Sequence, residues 1–194
     1  MLFSLESNAI AAYQWQEISS TVVVLAGFIT AVVALLQWNT ALKQQRDERR
    51  WKQAELARRL TDEWFDWKPS GIAMMLIDEG KGVYKLGDGP QYDINGSEDI
   101  PNALRLVVVG KEITEESHEP KDVFVRRCFD NLFYYFERAG HSIKIGVALG
   151  EDFDPHALYY VRRLALYQDV VEKYLKWLGY ENALAFLRRH NAWK

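Results

Sequence analysis

The sequence predicts a mainly α protein: a single N-terminal transmembrane helix continuing into a stalk, then a small helical bundle with a Gly-rich irregular insertion. Three observations carry this. Residues 18–38 hold no charge. Residues 39–67 contain neither Gly nor Pro and are dominated by helix formers. Residues 122–139 place apolar side chains at helical spacing. The expected divisions are an extracytoplasmic segment at 1–17, the span at 18–38, the stalk at 39–67, an irregular region at 68–121 and a C-terminal helical domain at 122–194.

Residues 18–38 read ISSTVVVLAGFITAVVALLQW. Twenty-one residues rising 1.5 Å each give about 31 Å, close to a hydrocarbon core of about 30 Å. Trp15 and Trp38 flank the run, where amphipathic rings anchor at headgroup level. The hydroxyl of Thr30 is expected to bond back to the preceding turn. A cleaved signal peptide has a basic start and a small-residue cleavage site. Here no Lys or Arg precedes Lys43, and the run ends in Leu35-Leu36-Gln37-Trp38, so a retained anchor is expected. Glu6 and Glu17 precede the span, whereas Lys43, Arg46, Arg49, Arg50 and Lys52 follow it. Basic flanks stay cytoplasmic, which predicts an inner-membrane protein with its N-terminus outside and its C-terminal domain inside. The same cations suit anionic lipid. Gly27 and Ala31 form one small patch for helix self-association.

In the stalk, Glu48–Lys52 and Glu55–Arg59 are i, i+4 pairs in the favourable order. An apolar stripe at Leu56, Leu60, Trp64 and Trp67 predicts where the stalk meets the domain. Pro69-Ser70-Gly71 ends the helix, and residues 72–78 make one or two helical turns. Six glycines and prolines between Gly80 and Gly96 predict loops, with a small hairpin at Val83–Leu86. Asn102–Val109 reads both as helix and as strand, and the polar Ile113–Lys121 as loop.

The next helix, Asp122–Ala139, buries Val125, Cys128, Phe129, Leu132, Phe133 and Phe136 and stops at Gly140 as the C′ residue. Ile143–Leu149 fits a short helix or a strand. Asp154-Pro155 predicts an N-cap and first position for a helix over 155–178, ended by Gly179. A last helix covers 181–190.

The stretches QQRDERRWKQAELARRLTDEWFDW and RRCFDNLFYYFERAGHSIKIGVALGEDFDPHALYYV resemble a bacterial class of small single-pass membrane proteins without an assigned activity. In that class an N-terminal anchor runs into an Arg-rich stalk and a helical domain follows. The second stretch matches its order of an aromatic helix, a short connecting segment and an acidic turn opening another helix. The resemblance spans about two thirds of the chain, and residues 80–110 depart from it. It implies an architecture and carries over no catalytic residue.

The net charge of −3 argues against nonspecific nucleic-acid binding, so no nucleic-acid partner is expected. Cys128, the single cysteine, excludes an internal disulfide and reads as a small buried hydrophobe. His118, His141, His156 and His190 lack metal-ligand spacing. The acidic run 151–154 lacks the alternating ligands and glycine of a calcium loop. The glycines at 80, 82, 87 and 89 lack a phosphate-loop pattern and read as turn formers. No catalytic residue, cofactor or metal site is expected. Three basic pairs stand out: Arg126-Arg127, Arg162-Arg163 and Arg188-Arg189. Converging, they would make an anion-binding site; apart, they are solvated helix faces. The sequence thus points to a membrane-tethered, non-enzymatic interaction or scaffold protein, oligomeric or bound to a protein partner. The alternative is a signal-gated membrane effector of a stress or antiphage response, sensing an anionic ligand through the Arg pairs.

Overall fold

The computed structural model describes residues 3–66, 68–109 and 112–193, giving the backbone alone for 3–22 and Val24. The chain is mainly α, with a long apolar N-terminal helix, and it divides into Met1–Arg50 and Trp51–Lys194.

The first unit consists of α1 (Phe3–Asp66) as far as Arg50. Among the described residues it is the one helix long and apolar enough to cross a membrane. Among its described side chains between Val23 and Trp38 the large apolar ones are exposed, Phe28 at 70% and Leu35 at 64%. The Thr30 hydroxyl donates to the Ala26 carbonyl at 2.8 Å, which satisfies it without water. The Trp15 side chain and those of residues 18–22 lie outside the described residues, as does Trp67.

The second unit begins on the last turns of α1, where Leu60 and Trp64 of the expected stripe are buried, Leu56 is half-buried and Ala57 is buried beside them. Pro69 does not end a helix: α1 closes at Asp66, and Pro69 sits in the first turn of α2 (Lys68–Glu79), where its missing N–H costs nothing. That helix is longer than the expected one or two turns and buries Ile72, Ala73, Leu76 and Ile77. The hairpin arms are β1 (Lys81–Tyr84) and β2 (Tyr92–Asn95), not Val83–Leu86. Gly80 and Gly87 take positive φ at its approach and in its loop. The ambiguous stretch is both things in turn: Asn102–Leu104 finishes α3 (Gly96–Leu104), and Leu106–Val109 is β3. Glu112–Glu115 is β4, where a loop was expected, since β-branched Ile113 and Thr114 pair with Val108 and Val107.

At the centre is α4 (Pro120–Lys144), whose predicted stripe from Val125 to Phe136 is buried throughout. It runs past Gly140. A Cβ there would overlap the Asn182 carbonyl, so this glycine admits the close approach of α7 (Glu181–Arg188) instead of ending its own helix. The C′ glycine is Gly146, at φ +74°, with the Schellman bonds Gly146 N–H to Ile143 O and Val147 N–H to Ser142 O. The next helix, α5, starts at Gly150 rather than at Pro155 and ends at Leu164. Phe153, Ala157, Val161 and Leu164 share its buried face, and burying Phe153 draws the start upstream of the proline. The expected helix to 178 is then divided by a 3₁₀ turn at Ala165–Tyr167, which leaves Leu166 exposed before α6 (Gln168–Leu178). Gly179 closes α6 in a second Schellman motif, as expected.

Candidate functional site

The six arginines of the three pairs go to different places, and two of them, Arg126 and Arg163, serve helix ends. A helix leaves its last carbonyls without intrahelical donors. Arg126, buried on α4, donates from Nε to the Ala103 carbonyl at 2.9 Å, near the end of α3. It also donates to the Ser117 carbonyl at 2.6 Å and stands 3.8 Å from Glu115. Arg163 donates to the Ile77 carbonyl at 3.2 Å and the Asp78 carbonyl at 3.5 Å, near the end of α2. Each guanidinium places positive charge where the helix dipole is negative. Arg188 bonds Glu172 of α6 and ties α7 to it. Arg127 is exposed beside a hollow of about 210 Å³ lined by Tyr92, Pro120 and Phe124.

Arg189 and the exposed Arg162 both bear on His190. Arg189 lies 3.9 Å from Asp154 and packs against Gly150, where a Cβ would collide with its guanidinium. His190 is 8% exposed. Its Nε2 has no hydrogen-bond partner and stands 3.7 Å from an equally unpaired Asp154 Oδ1. Burial holds the His190 pKa below its usual value. The Asp154 carboxylate opposes that shift, and the charges of Arg189 and Arg162 add to it. The site already contains its own carboxylate, so its cations are not left open to an external anion.

The remaining hollows fit this reading. One of about 190 Å³ between α4 and α7 is flanked by Lys144 and Arg189, and one of about 540 Å³ near Ser97 and Tyr167 contains none of the six arginines. The two lined by an arginine of the pairs fall below the roughly 300 Å³ where small-molecule sites begin, and a hollow of about 470 Å³ is lined by Arg59, the carboxylates of Asp62, Glu63 and Asp66, and Tyr135. Among the described residues no group of three His, Cys, Asp or Glu side chains gathers as a metal site. Burial pushes the Cys128 thiol up to about 12, the setting of an inert core residue. Of the anchor residues, Trp38, Lys43, Arg46, Arg49 and Arg50 are exposed along α1.

Other polar residues have roles the sequence did not signal. Glu137 of α4 accepts from the Ala183 amide at 2.8 Å and from the Asn182 side chain, capping an α7 whose own Tyr180 supplies no cap. Asp130 accepts from the Tyr174 hydroxyl at 2.7 Å, and burial raises the pKa of both groups. These pairings join residues about 45 positions apart, and no local pattern encodes them.

No family model, curated protein or solved structure matches this chain.

Proposed function

We propose that the protein is a membrane-tethered, non-enzymatic interaction module, anchored in the inner membrane by α1 with residues 51–194 in the cytoplasm. One observation carries the reading: among the described residues, the large apolar side chains of α1 between Val23 and Trp38 are exposed. That surface costs free energy in water, at about 25 cal/mol for each Å² left exposed, and a bilayer removes the cost. Lys43, Arg46, Arg49 and Arg50 follow the span and no cation precedes it, which supports the orientation. Tethering confines copies to a plane and raises their effective concentration, which favours assembly with a protein partner or with itself.

Full-length protein should remain with membranes after alkaline extraction. Protease added to right-side-out vesicles should leave residues 51–194 intact. Release by alkali, or digestion of that region from outside, would defeat the reading. The alternative, an effector gated by an anionic ligand, draws less support, because Arg126, Arg163, Arg188 and Arg189 already face carbonyls or carboxylates of the chain itself.

A further inference from the structure

The β3–β4 hairpin is closed along one edge and open along the other. In an antiparallel pair, both backbone groups of a residue point either to the partner strand or away from it, alternating along the strand. The Ile113 carbonyl on β4 accepts from the Trp177 indole N–H at 3.1 Å, so it points away from β3. Its cross-strand neighbour Val108 must therefore point its own N–H and C=O away from β4, and Leu106 does the same two residues earlier. The bond from the Glu116 N–H to the Arg105 carbonyl obeys the same alternation. Thus α6 guards the β4 edge through Trp177, while among the described residues no other strand pairs with the β3 edge. Val108 is 70% exposed, and Val109 and Ile113 are exposed beside it. Open, uncharged, β-branched edges are pairing templates unless something blocks them.

We propose that this edge is a homodimer surface: β3 of one copy pairs antiparallel with β3 of a second, Val107 opposite Val107, giving one four-stranded sheet. The proposal rests on the membrane-tethered, self-associating reading above. This register lets Leu106 of each copy exchange hydrogen bonds with Val108 of the other, using every outward group of both residues. It is also complementary in charge. Arg105, which already meets Glu116 at 3.4 Å, falls opposite Val109 of the second copy. The next residue in that row is Glu112 of the second copy, because Val109 pairs with Glu112. Two strand spacings, about 10 Å, separate the two Cα positions, within reach of an arginine and a glutamate side chain extended toward each other. Lipid is the poorer occupant, because Glu112, Glu115 and Glu116 crowd the hairpin with negative charge and a strand edge needs hydrogen-bond partners. So small an interface is weak for free molecules and is favoured by confinement in a membrane.

In this register Val107 and its copy form a non-hydrogen-bonded pair with Cα atoms about 4.5 Å apart, inside the disulfide range. Full-length Val107→Cys, with Cys128→Ala to remove the native thiol, should give a disulfide-linked dimer when membranes are mildly oxidised. Adding Val108→Pro should abolish that dimer, since it deletes an outward N–H and spares the bonds to β4. Arg105→Cys and Val109→Cys, exposed in the monomer and co-expressed in separate copies, should cross-link to each other and keep the test valid if Val107→Cys does not fold. Val83→Cys, exposed on the other hairpin, sets the background. Cross-linking at that background by both designs, or a Val107→Cys dimer that survives Val108→Pro, overturns the proposal. Fractionating the same samples separates the two claims: protein in the membrane without cross-links sinks the dimer alone, and cross-linked protein outside it sinks the membrane reading alone.

Discussion

The apolar stretch of α1 and the apolar stripe of α4 use the same residue types and meet opposite surroundings. Val23, Leu25, Phe28, Leu35 and Leu36 lie open along the helix, whereas Val125, Phe129, Leu132 and Phe133 have no exposed surface. The difference is one of pattern. On α4 the apolar positions recur every three or four residues, and Arg127, Asn131 and Tyr134 fall between them. One side therefore enters a core and the other stays in contact with water. On α1 the apolar residues surround the helix, so no single packed neighbour could cover them. The two regions call for different solvents, and substitutions should affect them differently.

The largest effect is expected in the core. Phe129→Ala should cost about 3–5 kcal/mol of unfolding free energy, read as a large fall in thermal midpoint, while Phe28→Ala should leave that midpoint unchanged. Equal losses would mean that the α1 surface is buried in the folded protein. Next comes Ile29→Asp, which places a carboxylate in the middle of the span and should cost roughly 2.5–3.5 kcal/mol of apparent insertion. Its signature is protein leaving the membrane fraction with an unaltered melting curve.

A smaller loss is expected at the α4–α7 crossing. Gly140→Ala pushes a methyl group into the Asn182 carbonyl and should cost roughly 1–3 kcal/mol. A neutral result would show that α7 shifts freely. The smallest effect concerns pH. His190 has its pKa lowered on folding, so the folded state favours the neutral ring. Its contribution is fully present above the unfolded value of about 6.5 and is lost as pH falls through the depressed folded value. Melting midpoints measured from pH 8 to pH 5 should decline at the acid end, and His190→Gln should flatten that decline. An unchanged slope in the variant would remove His190 from the acid sensitivity.

Much of the fold was legible because its signals are local. Apolar spacing alone marks the buried stripe from Val125 to Phe136, and a glycine followed by a new helix start marks Gly179. The misread glycine, Gly140, has the same local look as a helix stop. Its role is set by Asn182, forty-two positions away, which no window of the sequence contains. Pro155 misled in the same way. It is a good first helical residue, but Phe153 needed to be inside the helix to reach the core. The arginine pairs were legible as cations and not as partners. Whether Arg126 meets a ligand or the end of α3 depends on where α3 lies.

By itself the sequence determined the helical class, the long N-terminal helix with its uncharged stretch at 18–38 and the residues of the central core, because periodicity and solvent preference are properties of neighbouring residues. Tertiary structure decided where the charges go, which glycine ends a helix and which strand edge stays open. Each of these depends on hydrogen-bonding groups and atoms that approach through space from distant parts of the chain.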